Sequence, residues 1–425
     1  MAFASTANAG ITIPAGDWTV DIGGNVNAYY SNTQFSGAAK SATAGGARSG
    51  DANTVGTGLL PSAVGIGAKT RQNDLDIAVQ FTFFVGGSSS DSGGGAFNES
   101  GANLNSLNIR QAYMTFGDAS WGTIKGGRDL GVFGSDAILS DMTLLGVGTG
   151  AGGAGSSTLG RIGSGYLYAD WVGQIAYTTP NWNGLQATVA VREPWANSDN
   201  GSVGFEGKVT YDFAANDVTG RVWVGGVKQD TQSAQAAAST DYNAALNQFN
   251  NTGTFTNAGL TAALAANTTA AKAAHSGTAE AWEIGAKAAY QGASLVGYYY
   301  QGQNIGGNNF LTGSNSAWVS SGLIYRDNAV DNEVSGGYVQ GTYTLPTIGT
   351  KLGLSWGESM SKVQAAGAVE FKSESWIVGA YHPLTKSLNL VAEYTHNDLT
   401  GLGGVAGAAG EGKVKTGSLG AILFF

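Results

Sequence analysis

The chain has no cysteine among its 425 residues, so disulfides, thiolate metal sites and cysteine nucleophiles are excluded together. Histidine is nearly as scarce. His275, His382 and His396 stand apart from one another, in no metal-ligand spacing and in no Ser/His/Asp arrangement. Charged residues make up 12% of the chain, about half the usual share. No apolar run reaches the roughly 18 to 20 residues that a membrane helix requires, which excludes a helical membrane protein. A net charge of −9 with no basic stripe argues against a nucleic-acid partner. Glycine pairs such as Gly126-Gly127 lack a following Gly-Lys-Ser/Thr, so they carry no phosphate-loop reading. Enzymatic activity, cofactors and bound metals are therefore not expected.

What the chain has is glycine, 68 residues of it, and short alternating apolar segments rich in Tyr, Trp and Val. The last segment shows the pattern well. Phe425, Leu423, Ala421 and Leu419 share one face, while Phe424, Ile422, Gly420, Ser418 and Thr416 share the other. A free apolar strand of this kind recruits other chains unless a closed barrel removes its edge. Sixteen such segments can be drawn, among them 18–30, 75–86 and 413–425. Their length of about 9 to 13 residues suits tilted strands crossing a bilayer. Every second connection is a short turn signal, as in Arg71-Gln72-Asn73-Asp74 and Gln291-Gly292, and the intervening ones are generally longer. The expected fold is therefore all-β: a sixteen-stranded antiparallel transmembrane β-barrel with short periplasmic turns and long extracellular loops. An even strand count puts both termini in the periplasm.

The expected layout is a remnant of an export signal, or a flexible N-terminus, at residues 1–9, then one barrel over 10–425. Ala7-Asn8-Ala9 has the small-x-small pattern of a cleavage site. The long external insert 229–279 accommodates either a short helix over the barrel mouth or a surface loop. Aromatics near the short-turn ends (Trp18, Phe116, Tyr177, Tyr211, Tyr290, Tyr343, Tyr381 and Phe425) fit an interfacial belt.

Two stretches carry a family resemblance. Arg110-Gln111-Ala112-Tyr113, a short turn, Gly127-Arg128-Asp129-Leu130-Gly131 and the segment that follows resemble the third-loop region of the Gram-negative general (diffusion) porins. Asp170 to Tyr177 leading to Pro180, and the terminal Phe425, extend the similarity. The long Gly-rich stretch 146–160 and the 229–279 insert depart from it. The resemblance implies a homotrimer in the cell outer membrane whose third loop, here 129–169, folds inward and narrows the pore. It also implies insertion by the barrel-assembly machinery through Phe425, and lipid and lipopolysaccharide around the wall.

By this resemblance, acids on the inward loop (Asp129, Asp136 and Asp141) face basic residues of the wall. Strand parity turns Lys69, Arg110, Arg192 and Arg221 inward, along with Glu206 and Lys208, and Arg128 completes the expected constriction set. Opposed rows of charge in a constriction bias which ions pass. The loop's own apolar residues, from Val132 and Phe133 to Leu144 and Leu145, need a surface to pack against, and the inner wall is the nearest. The expected function is passive diffusion of small hydrophilic solutes and ions. Two alternatives stay open. One is a substrate-specific channel with Tyr166, Tyr168 and Trp171 as an aromatic slide, and the other a surface-structural or adhesive barrel acting through its long loops.

Overall fold

A computed structural model describes residues 10–40, 51–85, 108–149, 158–193, 202–232, 276–305, 332–363, 370–402 and 410–425. In chain order the strands are β1 (Ile11–Ala15), β2 (Trp18–Gly37), β3 (Asp51–Gly56), β4 (Ser62–Gln72), β5 (Leu75–Val85) and β6 (Asn108–Asp118). They continue as β7 (Gly122–Leu130), β8 (Trp171–Thr178), β9 (Leu185–Arg192), β10 (Gly204–Ala215), β11 (Val218–Gln232) and β12 (Ser276–Tyr290). The last six are β13 (Ala293–Gln303), β14 (Asn332–Thr344), β15 (Lys351–Val363), β16 (Phe371–Pro383), β17 (Leu388–Leu402) and β18 (Gly410–Phe424). One short helix, α1 (Ser135–Ser140), lies between β7 and β8.

The wall is a closed antiparallel barrel of sixteen strand positions. β18 pairs with β2 from Gly412↔Gly37 to Phe424↔Asn25, which closes the ring. β3 and β4 both pair with β2 and together fill one position. β1 folds back on the lower half of β2, from Ile11↔Ile22 to Ala15↔Trp18. It occupies the place where β18 has run out: Phe425 and Gly24 exchange both backbone hydrogen bonds, at 3.0 and 2.9 Å. β1 thus covers an edge of β2 that would otherwise face the membrane unpaired. Both described ends of the chain meet on the short-turn side, where Asn73 and Asp74, both at positive φ, make a two-residue turn between β4 and β5.

Alternation sets the two faces. On β5, Phe81 is exposed on the outer face, and Thr82 and Phe84 are buried on the inner one. Tyr177, Tyr211, Tyr290 and Tyr343 stand exposed on the outer face near the short turns, in a belt. Tyr381 does not join them. It points inward and is buried, its hydroxyl donating to Glu393. Along Ile377-Val378-Gly379-Ala380 both faces read as apolar or small, so β16 offers no parity there to assign the tyrosine. A second girdle, Trp282, Tyr299, Trp356, Trp376 and Tyr394, marks the outer face nearer the long-loop side.

Several boundaries shift, and β2 runs on to Gly37, past the expected 18–30. β7 runs on to Leu130 and β8 starts at Trp171, so the inward segment is 131–170. β11 ends at Gln232 and β12 begins at Ser276, and the heart of the expected insert lies outside the described residues. The expected export remnant at 1–9 also lies outside them, as do 150–157 of the Gly-rich stretch.

Candidate functional site

The described residues of the segment between β7 and β8, 131–149 and 158–170, turn into the lumen and are almost all buried against the inner wall. Its apolar residues decide this. Phe133, Ala137, Ile138, Leu159, Ile162 and Tyr166 pack in one cluster with Trp223, Tyr298, Tyr300 and Tyr338 of β11, β13 and β14. These are the side chains that would otherwise stand in water.

A loop without regular structure carries backbone N–H groups that need partners once buried. The wall supplies them. Glu206 on β10 accepts from the amides of Val132 and Phe133, and also pairs with Arg192 at 2.6 Å. Glu283 on β12 accepts from Gly134 at 3.0 Å and from the Tyr298 hydroxyl at 2.8 Å. Gln340 on β14 donates to the Ser140 carbonyl and accepts the Met142 amide at 2.7 Å. Tyr29 on β2 donates to the Leu145 carbonyl at 2.7 Å. Glu393 on β17 accepts the amides of Val147 and Gly148, both at 2.7 Å. A side chain at Gly146 would collide with that carboxylate, so the loop can cross it only at a glycine.

Arg161, on the loop's return, is fully buried. Its Nε donates to the Ser355 hydroxyl at 2.6 Å and its Nη1 to the Ser375 hydroxyl at 2.8 Å. The wall makes room with small inward residues, Gly353, Ser355, Gly357 and Ser359 on β15. A Cβ at Gly353 would strike the Met142 sulfur, and one at Gly357 would strike Arg161.

The expected constriction residues fall into separate places. Asp136, on α1, is buried in contact with the wall, 2.5 Å from Lys208 and 2.9 Å from Arg221. Arg221 also grips Asp212 through Nε and Nη2, both at 2.6 Å. Burial pushes the Asp136 carboxyl up, but Lys208 and Arg221 outweigh it and hold it below the ordinary carboxylate range. Asp141 is buried inside the loop. It accepts from the Thr143 amide (2.9 Å), the Arg161 amide (3.2 Å) and the Tyr166 hydroxyl (2.8 Å). Asp129 belongs to the wall, bound to Lys125 at 2.6 Å and Gln111 at 2.8 Å.

Among the basic residues, Arg192 is buried with Glu206. Lys69 lies towards the short-turn end of β4, 64% exposed and 3.2 Å from Asp21. Arg110 sits at a register shift between β5 and β6, its guanidinium 4.8 Å from the Phe84 ring centre and 5.9 Å from that of Trp171. Arg128 alternates away from Lys125 and Asp129 and pairs in register with Ala112 and Gly173. Of the expected loop acids, Asp136 is in contact with basic residues of the wall, and Asp141 is internal to the loop. The reason is energetic, since a carboxylate within reach of two cations gains more by contact than across solvent. Of the suggested slide, Tyr166 is fully buried and Trp171 packs on Phe84 at 5.6 Å between ring centres.

The residues that hold the loop (Glu206, Glu283, Gln340, Glu393 and Arg161) were not singled out as its anchors from the sequence. The visible trace was an isolated acid at an inward position among apolar and small residues, as at Glu283 and Glu393.

Curated proteins give no sequence match. Solved structures do match in fold. The outer membrane channel DcaP of Acinetobacter baumannii aligns over 98% of this chain and 100% of its own, at 15% identity and a TM-score of 0.59. An anion-selective porin from Comamonas acidovorans aligns over 96% and 100%, at 14% identity and 0.55. In-vitro folded OmpT of Vibrio cholerae, in its trimer form, aligns over 96% and 99%, at 14% identity and 0.53. The profile of the Gram-negative porins matches residues 1–402. That match takes in the wall up to β17 and the whole inward loop, and by it the chain belongs to the Gram-negative porin family.

Proposed function

We propose that this outer-membrane diffusion channel is a passive, water-filled pore without a dedicated substrate, and that it acts as a conduit and not as a catalyst. The observation that carries the reading is the loop's attachment. It is hydrogen-bonded to the wall from β10 round to β17 and β2, which narrows the lumen on that side. Polar side chains elsewhere on the inner wall keep contact with water, with Lys69 64% and Asp21 43% exposed. A sixteen-stranded barrel is wide enough for such an aqueous path. The burial of Tyr166 speaks against a slide built on that residue.

Homotrimeric assembly is part of the proposal, supported by the trimer form of the OmpT structure and by a small outward residue, Ala28, on β2. Contact with lipopolysaccharide at the upper aromatic girdle and recognition of Phe425 by the barrel-assembly machinery belong to the same proposal. Reconstitution in planar bilayers tests the channel. Steady ohmic steps without block by low solute concentrations are expected. Block by one solute class would favour a specific channel, and absence of conductance would favour an adhesive barrel.

A further inference from the structure

We infer that the pore prefers anions, and that Lys287 on β12 and Lys351 on β15 are the side chains passing anions contact. This rests on the diffusion-channel reading above. The observation is an asymmetry of pairing. Among the described residues, each inner-wall acid that reaches water has a cation in contact: Asp21 has Lys69, Asp76 has Arg71, Asp129 has Lys125, and Asp212 has Arg221. Glu283 and Glu393 are sealed under the loop and occupied with its backbone amides. The cations are not matched in this way. Lys287 shares the inner face of β12 with Glu283 and Gly285 and is half-buried. It acts on Asp212 through space but forms no ion pair among the described residues. Lys351 lies over the Tyr381 ring, 4.7 Å from its centre; Glu393 and Asp141 act on it through space, but it likewise forms no ion pair among the described residues.

Both amines sit in the short-turn half of the wall. Lys287 is near the end of β12 that carries the belt residue Tyr290, and Lys351 opens β15. An ammonium on a ring face keeps its remaining N–H donors free for an anion. Low-dielectric walls around a wet lumen focus the field of such unmatched charges, which raises the local concentration of counter-ions. The ligand class is small: halide, carboxylate or phosphate. Many of the chain's acids lie outside the lumen, so the overall net charge does not oppose this sign.

The test is the zero-current potential across a planar bilayer in a potassium chloride gradient at low salt, followed by inorganic phosphate as a second anion. The whole protein should pass chloride in preference to potassium. Lys287→Gln and Lys351→Gln should each lower that preference by about twofold, and the double variant should lower it further, with the effect fading as salt rises. Lys415→Gln, at an outward position of β18, should leave it unchanged. A wild-type channel that is unselective or prefers potassium overturns the inference while leaving the channel intact, as does a double variant with the wild-type potential. A protein that inserts and conducts nothing would instead sink the channel reading itself.

Discussion

The carboxylate of Glu393 on β17 accepts the backbone N–H of Val147 at 2.7 Å, and the adjacent amide of Gly148 binds the same oxygen. One wall side chain thereby satisfies two buried loop donors. Leaving such donors unpaired costs about 1–3 kcal/mol each. Glu393→Ala should loosen the loop, seen as added open-channel noise and a lower unfolding temperature in detergent. Glu393→Gln, whose amide oxygen still accepts, should be milder. Equal, silent traces from both variants would mean that the loop is held elsewhere.

The outer face of β5 should reject charge. Val79 and Phe81 point outward, while Gln80 and Thr82 point to the lumen. An arginine at mid-membrane on the lipid face costs roughly 2 to 4 kcal/mol. Val79→Arg should therefore reduce folded protein sharply, and Gln80→Arg should not. Comparable yields of the two would reverse the facing of this strand.

The barrel was legible because its signals are local. Period-two alternation at Leu75–Val85 and turn chemistry at Asn73-Asp74 each need only neighbouring residues. The site was less so. Asp136 could be placed on the loop from sequence, but its contact with Lys208 spans 72 positions and follows from how α1 packs on the wall. Asp141 looked like a pore acid because nothing near it in sequence announces Tyr166, 25 positions on, as the donor that ties it inward. Arg110 is a different case. The register shift beside it lets Arg110 and Gln111 both be buried, which simple alternation forbids.

Phe425 should matter for assembly more than for a pore already formed. Its backbone pairs with Gly24, and its ring lies where any side chain at Gly24 would collide. Deleting Phe425 should lower the amount of folded barrel recovered from outer membranes, while the conductance of the molecules that do insert stays normal. Full recovery after the deletion would remove the role.

Asp136 and Asp141 should behave differently when neutralised, although both are loop acids. Asp136 faces Lys208 and Arg221, which are partly open to the lumen. Asp136→Asn uncovers those cations and should move the zero-current potential further towards anions. Asp141 is spent on groups of the loop itself. Asp141→Asn should move the potential far less than Asp136→Asn does and lower thermal stability by about 1 kcal/mol, the scale of one hydrogen bond. Equal shifts of potential from the two substitutions would put Asp141 in the permeation path.

The pH dependence of that difference follows from the Asp136 carboxyl. Lys208 and Arg221 hold it below the ordinary carboxylate range, against the opposing push of burial. A depressed folded value means that its contribution is fully present above the unfolded pKa of about 3.9 and is lost as pH falls through the lower folded value. Wild type and Asp136→Asn should therefore differ in zero-current potential by a constant amount from pH 7 to about pH 5. The two should converge only when the solution becomes more acidic than about pH 4, as the wild-type carboxyl takes up its proton. Recording both channels through one acid titration gives this directly, because other groups that titrate are common to the two proteins and cancel. Convergence already near pH 6 would mean that burial outweighs the two cations, and that Asp136 is not charged in the docked loop at neutral pH.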